Sequence, residues 1–405
     1  MIASVLTLLA LVFGVYRYNQ SWNSSSKPFF WFALVFKVSC GLFVGLIYMF
    51  YYKGGDTFMY FDLANSIHID WNALANGDMS WKPKALENRP RVLFFVLVTK
   101  AFNIPSFGNY WMTSICMSMV SFLCTCEWVK QLIRLWPEYK RGIQWSFMLL
   151  PSFVFWTSGV LKESIGIGAL LIFMVGLTRI VVFQDLNWKS WIYSIVGGYF
   201  AFKLKYYHLA LTAPVWLAYL TALKFSSKLN ISKIATFFSV YFFLLLLVPL
   251  LNWNLQPQQF LDSLFRNYQI ISANSIPENL VVLERFDATW KGVFLSFPEA
   301  VFTGLFRPLI FEGGSVFKLY IGLENVFILI GVLIYVVRHK LIHVNALACG
   351  IFLITAAWIL TISCPNLGSL SRYKIVFTPV LSGVALLGWN ALYGRLQSHK
   401  VKDIN

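Results

Sequence analysis

Five stretches of this sequence place carboxylates and cations side by side at the ends of apolar runs. Lys53-Gly-Gly-Asp56-Thr follows the second long apolar run, and Ser158-Gly-Val-Leu-Lys162-Glu163-Ser164 interrupts two later ones. Lys203-Leu-Lys205-Tyr206-Tyr-His208 marks another boundary. Arg307-Pro-Leu-Ile-Phe-Glu312-Gly-Gly precedes a run, and Asn366-Leu-Gly-Ser-Leu-Ser-Arg372-Tyr-Lys374 precedes the last. Ionisable groups at membrane depth cost free energy, so they pair with one another or serve a pathway. A carboxylate can take the proton of a hydroxyl nucleophile. Asp56 is the candidate, carried by a Gly54-Gly55 turn that lets backbone approach a ligand closely. Cations hold a phosphate, and arginine does so in bidentate fashion. Arg372, Arg307, Lys205 and Lys162 are the candidates for that task.

Each piece alone also has a plain structural reading. Asp56 after two glycines marks a helix stop and a turn. Lys162 and Glu163 neutralise each other, Lys203 and Lys205 snorkel to headgroups, and Arg372 caps a helix or meets lipid phosphate without specificity. Lys37, in the middle of an apolar run, calls for an acid or a carbonyl on another helix. Trp and Tyr near the ends of runs form an interfacial belt, with sugar stacking as their second use. His208 and His68 give a metal site little to build on. The five stretches taken together carry more than any one of them.

The elements that must position these residues follow from composition. Of 405 residues, 58% are hydrophobic and 12% charged, where a soluble domain carries roughly 25% charged residues. So much apolar surface in water drives association, which leaves the bilayer as solvent and excludes soluble enzymes and DNA-binding proteins. The net charge of +16 therefore reports orientation, and no nucleic-acid partner is expected. Spans are expected near 2–18, 28–51, 110–133, 143–160, 164–183, 190–204, 206–223, 234–251, 316–337, 343–362 and 373–393. That is an all-α integral membrane protein, a single polytopic domain over 1–405, with about 11 transmembrane helices of about 20 residues. The residues 203–208 predict a boundary or a broken helix. The first run lacks a basic leader and is read as a retained helix.

Lys and Arg concentrate in the short connections 16–28, 130–142, 179–189, 224–233 and 338–342 and in the tail after 394. These face the cytoplasm, which puts the N-terminus outside and the C-terminus inside the plasma membrane, the inner membrane of a bacterium. Two large external loops remain, 52–109 and 252–315. Each holds an apolar stretch too short to span, 91–104 and 293–306, expected to lie on or dip into the membrane. Cys40, Cys116, Cys124, Cys126, Cys349 and Cys364 have neither zinc-ligand nor disulfide spacing. A Walker A sequence, a Gly-rich dinucleotide turn and a His-Glu-x-x-His helix are all missing.

The run Gly54-Gly-Asp56-Thr-Phe-Met-Tyr60, Pro90 with its apolar stretch, Pro151 to Glu163, and the loop Asn366 to Lys374 resemble those of bacterial GT-C glycosyltransferases. These polytopic membrane enzymes transfer sugars from polyprenyl-phosphate carriers. The likeness is architectural over most of the chain and specific in those short motifs. It implies a polyprenyl-phosphate-linked sugar donor entering from the membrane lipid, and a glycan, lipid or protein acceptor on the extracytoplasmic face. Asp56 is then the catalytic base, and Arg372, Arg307, Lys205 and Lys162 bind the donor phosphate. Glu163, Glu312, Asp62 and His208 orient these cations or contact the sugar. The chain departs from oligosaccharyltransferases in having no large soluble C-terminal domain. Asp56 and Asp62 are six apart and form no Asp-x-Asp motif. No cofactor and no metal ligands are assigned, and charge stabilisation falls to side-chain cations.

Three rival readings use the same residues. A flippase or transporter of lipid-linked sugars would grip a pyrophosphate with the same cations, but with functional charges near the midplane or on both faces. An O-antigen-type polymerase or ligase would work from the late loop 252–315. A structural subunit of a larger membrane complex would turn its polar loops to protein partners.

Overall fold

The computed structural model describes residues 2–22, 24–67, 83, 86, 88–228, 230–250, 253–312, 315–339 and 343–402. Among the described residues it is 82% helix with no strand. Runs rich in Leu, Phe, Ile and Val on all sides, with few caps and fewer charges, give helices that bury apolar surface in every direction. The helices that matter for the site are α1 (Ile2–Asn19), α2 (Lys27–Phe50), α3 (Asp56–Ser66), α4 (Pro90–Ser106), α5 (Tyr110–Leu135), α6 (Lys140–Met148), α7 (Pro151–Trp156), α8 (Lys162–Val181) and α9 (Trp188–Phe225). They are followed by α10 (Lys233–Leu247), α11 (Pro257–Ala273), α12 (Trp290–Leu295), α13 (Phe297–Phe306), α14 (Val316–Arg338), α15 (Val344–Ser363), α16 (Leu367–Tyr373) and α17 (Thr378–Lys402).

Six described helices, α2, α5, α8, α10, α14 and α15, are long and apolar enough to cross a membrane; a bent pair ending in α17 makes up to seven. Their outward faces stay apolar. Phe243 and Leu246 on α10 are 60% and 76% exposed, and Val337 on α14 is 80% exposed. Surfaces of this kind are stable against acyl chains and not against water. The chain thus has the helices of a multi-pass membrane protein.

Several expected spans take a different form. The one over 143–160 is two short helices, α6 and α7, because Pro151 has no N–H to continue the ladder and holds Leu150 extended (φ −61°, ψ 114°). The last begins at Thr378, next to Pro379, and meets the preceding helical segment at a 78° bend. The stretches 190–204 and 206–223 are two helical segments of α9 that meet at a kink at Lys205 (φ −144°, ψ 54°). The break foreseen at 203–208 is therefore present. The stretch 91–104 is helix α4, and 293–306 is the pair α12 and α13. The middle of the loop 52–109, with His68, Asp70, Trp71, Asp78 and Trp81, lies outside the described residues.

The chain divides into two compact units. The first comprises Met1–Arg134, Phe147–Gly176 and Trp188–Tyr206, and the second Leu135–Ser146, Leu177–Asn187 and Tyr207–Asn405. The first unit has a core in which Tyr60, Phe61 and Ala64 of α3 pack with Phe95 and Val96 of α4, Tyr110 and Met117 of α5, Ile165 of α8 and Leu204 of α9. In the second, Ala356, Ala357 and Leu360 of α15 pack with Ala218 and Leu220 of α9, Ile328 of α14 and Leu381 and Ala385 of α17. Helices α14 and α17 meet backbone to backbone. A Cβ on Gly331 would lie 2.6 Å from the Ala385 carbonyl oxygen, and such close approach through small residues is how helices associate in lipid.

Candidate functional site

In the first unit, α2 ends at Phe50 and the chain reverses through Lys53, Gly54 and Gly55, all with positive φ (50°, 132° and 114°). Glycine adopts that backbone without steric cost, whereas Lys53 does so under strain. The turn delivers Asp56 to the first helical position of α3, where the helix dipole favours a carboxylate. The next residues fix α3. The Thr57 and Tyr110 hydroxyls are 2.7 Å apart, and Phe58 stacks on the Tyr110 ring at 4.3 Å. Asp56 is half-buried. With Tyr48, Tyr52, Lys53, Gly54 and Gly55 it lines an open recess of about 440 Å³. Asp62 is exposed and lies about 120° around α3 from Asp56, by the helical pitch, so the two carboxylates do not share a face.

The turn before α8 brings Lys162 and Glu163 to the same end of this unit. Lys162 holds its Nζ 4.7 Å from the centre of the Tyr60 ring. Tyr60 lies one turn along α3 from Asp56, on the same face. Glu163 is fully buried and accepts a hydrogen bond from Lys205 Nζ at 2.5 Å. The break in α9 at Lys205 is what turns that side chain toward α8. Lys205 therefore does not snorkel; it pairs with Glu163, a residue distant in sequence. Lys203 is exposed, with its Nζ 5.7 Å from the centre of the Tyr199 ring. Arg91 at the start of α4 stacks over the Tyr206 ring at 4.0 Å.

Lys37 is buried in the middle of α2, and its partner is neither an acid nor a carbonyl. Nζ donates to the Thr157 hydroxyl at 2.5 Å, and that hydroxyl donates to the Phe153 carbonyl at 2.6 Å.

In the second unit, Arg307 leaves α13 and pairs with Glu312 at 2.5 Å through Nε. The other Glu312 oxygen accepts the Leu309 N–H at 2.8 Å. Glu312 thus closes its own loop and orients the arginine. Beneath this loop is a buried amide and amine that sequence reasoning left out of the site. Lys374, 1% exposed, donates to the Arg307 carbonyl at 3.1 Å and to Asn325 Oδ1 at 2.8 Å; Asn325 Nδ2 donates to the Pro308 carbonyl at 2.8 Å. The signal available in the sequence was a lone Asn in the apolar run of α14. Arg372 stands in the last turn of α16, whose N-terminus is capped by Asn366 accepting the Ser369 N–H at 3.0 Å. His208 is fully buried on α9, and the neighbouring Tyr207 ring lies 6.0 Å from that of Tyr373.

Replacing Lys374 with Met should leave two buried acceptors without their donor, at a cost of about 1–3 kcal/mol. Thermal denaturation of the detergent-solubilised chain measures it. An unchanged melting temperature would mean the amine does not hold the Arg307 loop.

Among the described residues, no three His, Cys, Asp or Glu side chains gather as metal ligands. Asp56, Lys162, Glu163 and Lys205 belong to the first unit, and His208, Arg307, Glu312 and Arg372 to the second. No protein-family model, curated protein or solved structure matches the chain.

Proposed function

We propose that this chain is a GT-C-like membrane glycosyltransferase that moves a sugar from a polyprenyl-phosphate donor to an acceptor on the extracytoplasmic face. The observation that carries the reading is Asp56. A carboxylate at the first position of a helix, delivered by a turn of three positive-φ residues at the end of an apolar helix, walls an open recess. Strained backbone, here at Lys53 (φ 50°), concentrates at functional sites.

The chemistry is a displacement at the anomeric carbon. The acceptor oxygen forms its bond to that carbon as the bond from carbon to the donor phosphate oxygen breaks. The Asp56 carboxylate takes the acceptor's proton, and polyprenyl phosphate departs with the electron pair. Leaving-group charge calls for cations, and of those the resemblance implies, Lys205 and Lys162 belong to the unit that holds Asp56. Lys205 and Arg307 are each oriented by a carboxylate, Glu163 and Glu312. Asp62 and His208 have supporting roles at most.

Arg372→Lys keeps the charge and loses the bidentate fork, so the KM for a polyprenyl-phosphate sugar is expected to rise about tenfold, with Arg372→Ala more severe. Steady-state transfer kinetics read this out. Wild-type donor use by Arg372→Ala would remove Arg372 from donor binding.

The proposal includes about eleven spans and two external loops. Single cysteines introduced at Ser80 and at Ser398 should label from opposite sides of sealed vesicles. Labelling of both from one side would overturn the topology. A transporter of lipid-linked sugars is the second reading, because it would use a charge in mid-span, and Lys37 is one.

A further inference from the structure

We infer that the recess beside Asp56 is a subsite for one pyranose ring, which makes the acceptor a glycan. This rests on the glycosyltransferase reading and names its acceptor class. The recess, of about 440 Å³, is open and is lined by a single turn from Tyr48 to Asp56. Its lining combines two kinds of group in the way a sugar requires.

Tyr48 and Tyr52 form an aromatic corner, with ring centres 5.2 Å apart and planes inclined by 46°. The C–H face of a pyranose packs against such rings, whose negative faces and apolar area suit weakly positive C–H groups. At the same rim Asp56 accepts hydrogen bonds from hydroxyls and Lys53 donates to a ring or hydroxyl oxygen. Gly54 and Gly55 keep the wall low. A Cβ on Gly55 would sit 3.0 Å from the Tyr48 ring and crowd the corner.

Other occupants fit less well. A phosphate would meet the Asp56 carboxylate at the rim, like charge against like. An acyl chain would bury Lys53 and Asp56 against hydrocarbon, which is costly. An extended peptide would need open backbone donors, and the Gly54 N–H is already spent on the Tyr48 carbonyl at 2.9 Å. Tyr51, edge-on to Tyr52 at 5.0 Å, is 70% exposed and outside the lining, so it serves as an internal control.

The test uses the full chain in lipid nanodiscs and saturation-transfer NMR with methyl glycosides of glucose, galactose, mannose and N-acetylglucosamine. Sorbitol, an open-chain polyol, is the control probe. At least one glycoside should receive saturation at its ring C–H protons, and sorbitol should receive none. Tyr52→Ala should weaken that binding at least about tenfold, Tyr52→Phe should retain it, and Tyr51→Ala should leave it unchanged. Tyr48→Leu carries the same test should Tyr52→Ala not fold.

Binding of no glycoside, or binding indifferent to both Tyr48 and Tyr52, would overturn the inference. So would a threonine peptide that binds at the tyrosines where glycosides do not. The two readings fail separately. Asp56-dependent sugar transfer with glycosides that ignore the tyrosines removes only the subsite. Glycosides bound at the tyrosines, with no product from any donor, remove only the transferase.

Discussion

Asp56→Asn should leave the chain folded, membrane-inserted and able to bind its donor, while sugar transfer falls about 10²–10⁴-fold, the usual worth of a positioned base. The change is isosteric and the side chain half-buried. Helix α3 has other anchors. That helix is held by the Thr57 and Tyr110 hydroxyls, the Phe58 ring and the packing of Tyr60 and Phe61. What the variant loses is the capacity to accept a proton. Initial rates of labelled-sugar transfer, beside donor-binding isotherms, separate the two effects. A variant that binds donor and turns over at the wild-type rate would show that Asp56 is only a turn residue.

The largest effect on stability is expected from Glu163→Ala. Its carboxylate is fully buried and pairs with Lys205, itself 6% exposed. Removing one member of such a pair leaves the other charge buried without it, at a cost of about 3–5 kcal/mol. The full chain in detergent should show a clearly lowered melting temperature. Replacing both members at once with Leu and Met should recover much of the loss, because buried ion pairs and apolar pairs of similar size are near in free energy. Restored stability with transfer still abolished would give the pair a task beyond folding. Restored stability with full transfer would reduce it to a structural contact and remove Lys205 from the phosphate-binding set.

Much of the architecture was legible because apolar runs report helices directly. The expected ends of α2, α5, α8 and α15 fall within a few residues of those observed. The break in α9 was legible too, since Lys203, Lys205 and His208 cannot sit in an uninterrupted apolar helix at no cost. The expected span over 143–160 is divided into two helices at Pro151, whose local rule overrides mean hydropathy.

Pairings were the least legible part. Lys162 is the nearest cation to Glu163 in sequence, yet Lys205, 42 residues away on α9, also pairs with it. Lys37 finds its acceptor in Thr157, a residue no periodicity links to it. Lys374 and Asn325 clamp the Arg307 loop through backbone carbonyls, whose positions no residue type announces. Asp56, in contrast, was marked by its two glycines, because the turn they permit is a local property of the chain.

Formation of a glycosidic bond is the outcome to measure. The direct measurement reconstitutes the full chain in proteoliposomes with a panel of labelled polyprenyl-phosphate sugars and mixed glycan acceptors. Transfer of label to acceptor and movement of lipid-linked label between leaflets are followed together. The expected result is acceptor-bound label with at least one donor, reduced about 10²–10⁴-fold by Asp56→Asn, with no acceleration of leaflet exchange. Accelerated exchange without acceptor-bound label from any donor, equal in the wild type and in Asp56→Asn, would contradict it and make the chain a transporter.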